Sequence, residues 1–506
     1  MTISFLRTGV SAAALTLLGS AACADLTAQD VWSDWRAYMI GSGYTLEGAE
    51  SMSGDTLTVA NTNLSMDISG AGDTVNIGMG TLEFVEKADG TVSVNMPSGM
   101  PIAFSGTDED GSTYDVELEY THSGLAMVVS GDPDKMTYTY SAAEIAMALL
   151  SLSEDGTPLP ADTMTAALSL SNVTGTTLTA VGELRNYEQR MNATALRYEM
   201  DFQDPDSEES ATIKGGASDL AVSSDFNLPT EMDPAQLSAA IADGFDVTAL
   251  ISYTNGQTQI QAEGEDGFNA QLSTAAGSTA VALGAAGLGY DIANTGLTVD
   301  LQSNDLPLPV SLKVAESGLN LLIPMIAGET EQDFKLGMTL GGFTMSDMIW
   351  SIFDAAGQLP RDPATIALDL TGKTKVLLNM LDEADAARME EGEVPAELNA
   401  LTLNSLLISA VGAKLSGTGD FTFDNTDLTS FDGFPRPTGA VDLKLVGGNA
   451  LLDTLVAMGF IPQDQAMGTR MMMGLFAVVG SEPDTLNSRL EINDQGHILA
   501  NGQRIQ

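Results

Sequence analysis

Along much of this chain, apolar residues recur at every second position. Tyr114, Val116, Leu118 and Tyr120 alternate with Asp115, Glu117, Glu119 and Thr121. Successive side chains of a strand point to opposite faces, so this segment predicts one apolar face and one wet, acidic face. The triplets Val92-Val94-Met96 and Met136-Tyr138-Tyr140 repeat the pattern, as does Leu196-Tyr198-Met200-Phe202. Ala88-Asp89-Gly90 and Glu109-Asp110-Gly111 supply hairpin turns. Strands should dominate residues 45–230, in sheets wetted on one side, which is an antiparallel signature. Residues 141–152 fit two readings: Ser141 and Glu144 suit a helix cap, but the neighbours are strands, and the strand reading is preferred.

Glycine punctuates the strands. Ser123-Gly124-Leu125, Thr295-Gly296-Leu297 and Ser317-Gly318-Leu319 each precede a short apolar run, where a turn or bulge would re-aim the next strand. Their spacing is irregular, so no solenoid of fixed period is expected.

A period near 3.6 takes over in a few places. Thr27 and Asp30 form a helix-start box ahead of Val31, Trp35, Tyr38 and Met39, with Gly41 and Gly43 behind. Trp32 and Trp35 should dock this helix on a sheet. Asp233-Pro234 opens a second helix that closes at Gly244. Thr344 and Asp347 cap a third, with Met345, Met348, Ile349, Ile352 and Phe353 inward and Gly357 at its end. Residues 449–458 and 463–478 read as a helical pair broken at Gly459 and Pro462. A terminal hairpin joins Leu490-Glu491-Ile492 to His497-Ile498-Leu499. The pattern predicts a β-rich α+β fold: long, twisted, antiparallel meandering sheets whose apolar face is partly covered by amphipathic helices. A β-rich region spans 25–340, and a mixed α/β region, 341–506, continues the sheet.

The first 24 residues break this pattern. Arg7 precedes an apolar stretch from Gly9 to Gly19, and Ala22-Cys23-Ala24 provides a small-x-small site, so a signal peptide cleaved before Asp25 is expected. That implies a soluble periplasmic protein. A minor alternative is a lipoprotein anchored through Cys23, although the aliphatic residue expected three places earlier is missing. Cys23 is the single cysteine, so the mature chain would lack thiols and disulfides. No later apolar run approaches 18 residues, so no further membrane-spanning segment is expected.

Charge narrows the partners. With 69 acidic and 20 basic residues the net charge is −49, which repels nucleic acid and anionic headgroups. Hydrophobic content of 44 % is that of a folded chain, so disorder does not explain the acidity.

Candidate chemistry is sparse, and a non-enzymatic protein without cofactor or metal is expected. His122 and His497 are the only histidines; both read as exposed turn residues, and no G-x-S-x-G elbow accompanies them. Asp108-Glu109-Asp110-Gly111 lacks the ligand order of a calcium loop. Gly372-Lys373-Thr374 resembles the end of a phosphate-binding loop, but Ala367 occupies the first glycine position within an apolar alternation. Met471-Met472-Met473 reads as core or adaptable apolar surface rather than a copper site. Arg185, Arg190 and Arg197 form the one basic cluster. They fit ion pairs with neighbouring carboxylates or, alternatively, recognition of an anionic headgroup or carboxylate ligand.

Several segments together resemble a known family: Ala28-Gln29-Asp30-Val31-Trp32, Gly131-Asp132-Pro133-Asp134, Leu308-Pro309-Val310-Ser311, residues 344–350 (TMSDMIW), Leu359-Pro360-Arg361-Asp362-Pro363, residues 420–425 (DFTFDN) and residues 499–504. The chain is similar to the domain of unknown function (DUF) 2125 family of exported alphaproteobacterial proteins. That resemblance implies a periplasmic setting and carries over no catalytic residues. More distantly, the predicted meander is similar to AsmA-like envelope proteins linked to lipid handling. The expected function is binding of a lipid or other apolar molecule in a sheet groove for envelope maintenance. Alternatives are a structural or interaction protein with no ligand and, third, a carboxylate-based hydrolase.

Overall fold

A computed structural model describes residues 26–505, apart from 70–72, 109–110, 206, 231, 233–235 and 307. The expected leader with Cys23 lies outside these residues, as do Glu109, Asp110 and the Asp233-Pro234 helix start.

Helix α1 (Ala28–Gly41) is followed by β1 (Thr45–Ser53), β2 (Thr56–Ser69), β3 (Asp73–Glu86) and β4 (Val92–Asn95). Next come β5 (Gly99–Thr107), β6 (Thr113–Ser123), β7 (Ala126–Asp132), β8 (Lys135–Glu154) and β9 (Thr157–Pro158). The long strands β10 (Met164–Val181), β11 (Leu184–Gln203) and β12 (Ser210–Pro229) precede α2 (Leu237–Ala242). Then follow β13 (Asp246–Glu263), β14 (Phe268–Gly284), β15 (Gly287–Ser303), β16 (Val310–Ile323) and β17 (Gln332–Met345). After α3 (Asp347–Phe353) run β18 (Ala364–Val376), α4 (Glu383–Glu390), β19 (Ala396–Ala410), β20 (Ala413–Asp424) and β21 (Arg436–Val446). The chain closes with α5 (Gly448–Ala457), α6 (Gln463–Phe476), β22 (Val478–Val479), β23 (Thr485–Ile492), β24 (Ile498–Ala500) and β25 (Gln503–Arg504).

All the strands belong to one antiparallel sheet, giving a β-rich α+β fold. From β8 the order is β10 through β21 in chain order, then β23. Upstream, the two ends of β3 pair with β4 and β5; β4 leads to β7 and β5 to β6, and both paths rejoin on β8. Residue 340 lies inside β17, which is paired on both sides, so the sheet runs on through that position. Residues 141–152 are strand, within β8.

The strands owe their length to a repeated interruption of their alternation. On β12 the apolar positions are Ile213 and Ala217, then Leu220, Val222 and Phe226: odd numbers give way to even. On β15 Leu288 and Ile292 give way to Leu297, Val299 and Leu301. At each change stands a residue with positive φ: Asp219 on β12 and Gly296 on β15, with Asn172, Asn255 and Gly342 doing the same on β10, β13 and β17. Glycine adopts this conformation freely, and Asn or Asp tolerates it. These sites fall on one transverse line, since Ala275 and Ala315 lie on either side of Gly296 and Ala315 faces Gly342. Met191 and Leu196, of opposite parity on β11, both pack on the cluster of Ala142, Val173, Ala193 and Leu220. The phase slip therefore keeps apolar side chains on one face. Gly124 and Gly296 take the bulge-like conformation expected of them, whereas Gly318 sits in a regular ladder.

Glycine has a second use in the sheet. Gly175 lies opposite Tyr140, Gly215 opposite Tyr198, Gly277 opposite Tyr253 and Gly372 opposite Phe334. In each pair the ring occupies the place a Cβ would take. The rings thus lie flat along the sheet instead of standing out from it.

Helix α1 forms as its sequence predicts. Thr27 Oγ1 accepts from Asp30 N at 3.1 Å, and Asp30 Oδ2 accepts from Thr27 N at 3.0 Å. Val31 and Trp32 are buried against Leu57, Val59, Leu82 and Phe84, in the driest core of the molecule. Trp35 meets Phe84 edge-on at 5.5 Å. The pair α5–α6 and the terminal hairpin β23–β24 also form as expected. Helix α3 departs from expectation. Ser346 is its N-cap, Thr344 and Met345 belong to β17, and Met348, Ile352 and Phe353 are exposed. A helix of two turns has a narrow contact face, and here Trp350 fills it, stacked under Arg361 at 5.5 Å. No helix among the described residues is long and apolar enough to cross a membrane.

Candidate functional site

Register turns the alternation of single strands into rows across the sheet. One row runs Tyr187, Phe226, Val247, Leu283, Leu288, Ile323. A second runs Met191, Val222, Ile251, Thr279, Ile292, Leu319, Met338, Leu368, Leu406. A third passes from Val281 through Tyr290, Leu321, Leu336, Leu370 and Leu403. The opposite face carries Asp291, Asn320 and Asp369, with Asn320 Nδ2 donating to Asp291 at 2.6 Å. Despite its composition the apolar strip is not dry: Ile251, Tyr290, Leu319, Leu336 and Met338 are 36–46 % exposed. Three of the helices pack elsewhere, α1 on β1–β3, α5 on β20 and α6 on β23. An uncovered apolar face of this extent marks a surface that meets an apolar partner or ligand.

At its β11 end the strip runs into a cavity of about 450 Å³ beneath α1. Asp34, Trp35, Tyr38 and Met39 line it from the helix, and Met79, Met127, Tyr138, Tyr140, Tyr187 and Gln189 from the sheet. The wall is mostly aromatic and thioether surface, with a polar network at its floor. Arg185 Nη1 pairs with Asp34 Oδ1 at 2.6 Å, and both side chains are about nine-tenths buried. Tyr138 donates its hydroxyl proton to Asp34 Oδ2 at 3.1 Å, and the Tyr187 oxygen accepts from Arg185 at 3.0 Å.

Burial raises the pKa of both phenols. It pushes Tyr187 up to about 12 despite the nearby guanidinium, and the Asp34 carboxylate lifts Tyr138 further still. Burial alone would weaken the charge of Arg185, but the Tyr187 hydroxyl and the Asp34 carboxylate together hold it firmly protonated. At neutral pH the tyrosines are therefore fixed dipoles, and the floor holds one satisfied ion pair.

The three arginines do not converge. Arg185 turns inward to Asp34, whereas Arg190 is exposed and pairs with Asp225 at 3.3 Å. Arg197 is exposed, seven residues further along β11 and roughly 23 Å away at ~3.3 Å per residue. Neither histidine is the exposed turn residue expected: both are half-buried, and the ring nitrogens of His122, on β6, are buried without a partner among the described residues. Gly372-Lys373-Thr374 lies inside β18, with Lys373 paired to Asp333 at 2.6 Å, so no phosphate-binding loop forms there. Met471 and Met472 are exposed on α6.

Sequence reasoning missed Asp34, Tyr138 and Tyr187. One signal was available: Asp34 falls among Val31, Trp35 and Tyr38 on the apolar arc of α1, where a carboxylate needs a buried partner. That partner is 151 residues away, too distant for any local pattern. No family model, curated protein or solved structure matches this chain.

Proposed function

We propose that the protein is a non-enzymatic binder of a lipid or other apolar molecule, serving envelope maintenance in the periplasm. The uncovered rows that cross the sheet from Tyr187 to Leu406 carry this reading, because acyl chains gain free energy by covering such a surface. The leader-like N-terminus and the resemblance to exported proteins support the setting. A structural role without ligand is the second reading, favoured by the exposed Met467, Met471 and Leu475 of α6, which suit a protein partner.

The test is organic extraction and mass spectrometry of the purified mature protein, with titration by a dansyl-labelled fatty acid. Stoichiometric lipid and saturable binding are expected. Leu319→Lys with Met338→Glu places an opposite-charge pair across the middle row and should cut binding sharply without unfolding the sheet. No recovered lipid and no titration, or unchanged binding by the double variant, would overturn the reading.

A further inference from the structure

The cavity under α1 differs in composition from the strip it joins. The strip is built mainly of Leu, Ile, Val and Met, whereas Trp35, Tyr38, Tyr120, Tyr138, Tyr140 and Tyr187 all line the cavity. Five of the chain's ten tyrosines thus meet at one place. A site for hydrocarbon alone has no need of such rings. Their faces carry negative potential, which attracts a cation that has lost its water.

The placement of charge agrees. Asp34 lines the cavity, but Arg185 does not; bonded to Asp34 and to the Tyr187 hydroxyl, it lines a separate recess with Leu228 and Pro229. A guest in the cavity therefore meets the carboxylate side of the ion pair. An anion would find no free cation on this wall. Met39, Met79, Met96 and Met127 complete it with soft, adaptable contacts suited to methyl groups. The net charge of −49 adds a field that concentrates cations.

We propose that this cavity binds a methylated ammonium group, whether on a lipid headgroup or on a free quaternary amine. The volume of about 450 Å³ leaves room for the tether of such a group, and Tyr187, shared by the cavity wall and the first apolar row, marks the way out onto the strip. The proposal does not depend on acyl binding by the strip.

The test is calorimetric titration of the folded protein with choline, with its uncharged carbon analogue 3,3-dimethylbutan-1-ol, and with ethanolamine. Choline should bind at least about tenfold more tightly than the carbon analogue, the ratio expected of a desolvated cation–π site. It should also exceed ethanolamine. Tyr140→Leu should weaken choline binding about tenfold. Tyr38→Leu, at a half-exposed helix position that tolerates change, should weaken it several-fold if the first variant fails to fold. Equal binding of choline and its carbon analogue would overturn the proposal, as would equal binding of ethanolamine or an unchanged affinity in a folded variant. Monomeric lysophosphatidylcholine, set against lysophosphatidylglycerol, distinguishes the sources: a large gain over choline identifies a lipid headgroup, and no gain identifies a free amine. The Leu319→Lys, Met338→Glu variant should keep its choline affinity, so failure of the strip and failure of the cavity are read separately.

Discussion

The N-terminal end of the sheet and its middle are built from the same alternation but end in different states. Where α1 docks, its Val31 and the strand residues Val59, Leu82, Phe84, Val92 and Val129 are completely covered. Across β13–β17, residues just as apolar, among them Ile251, Leu319 and Met338, remain more than a third exposed. What separates the two is a covering element. Alternation shows that a strand has an apolar face; only tertiary structure shows whether anything lies on it. One end of this sheet is a folding core, and the rest has its apolar surface still available.

The contrast is broken most severely at the covered end. Trp32 is buried against Phe84 and donates to Glu50 at 2.7 Å. Trp32→Ala should cost about 3–5 kcal/mol in urea denaturation. Arg185→Ala leaves the Asp34 carboxylate buried without its cation and should cost about 3–5 kcal/mol; Asp34→Leu combined with Arg185→Met should lose less than either single change.

Alkaline pH probes the same floor. Tyr187, raised to about 12, and Tyr138, raised further, stay neutral in the folded protein after ordinary tyrosines near 10.0 have ionised in the unfolded chain. Their contribution is therefore complete below pH 10 and is lost as pH rises towards 12. Urea midpoints between pH 9 and 12 should fall, and Tyr187→Phe should flatten that fall.

At the transverse line, Gly296→Ala forces a side chain onto φ +63°, with its Cβ 2.9 Å from that of Ala275. A loss of about 1–2 kcal/mol is expected, read by thermal unfolding. The smallest effect belongs to the open strip. Leu336→Ala should cost under about 1 kcal/mol, the scale of a cross-strand pair, while reducing dansyl fatty acid binding. A loss as large as that of Trp32→Ala would mean the strip is core after all.

Local physics made much of this legible. The Thr27–Asp30 box, the Ala88-Asp89-Gly90 turn and the strands around Tyr114 and Tyr138 depend on residues a few positions apart, and all form. The phase slip at Asp219 is written in the step from Ile213 and Ala217 to Leu220 and Val222. It becomes meaningful only once neighbouring strands slip at the same level. Helix α3 was misjudged because periodicity identifies an apolar arc but not what lies beneath it. The cavity was illegible because its residues come from α1, β3, β6, β7, β8, β10 and β11, and only register gathers them.

Within the run from β10 to β21, each strand from β11 to β20 pairs only with the strands before and after it in sequence. At ~4.8 Å per step this stretch is roughly 50 Å wide. Its stability should behave as a chain of nearest-neighbour couplings, as in repeat proteins, so that folding can begin at any hairpin and spread both ways. Removing one central hairpin should then shorten the ribbon by two steps, roughly 10 Å, and leave its remaining pairings intact. The reach of the protein is thus a length that evolution can change two strands at a time.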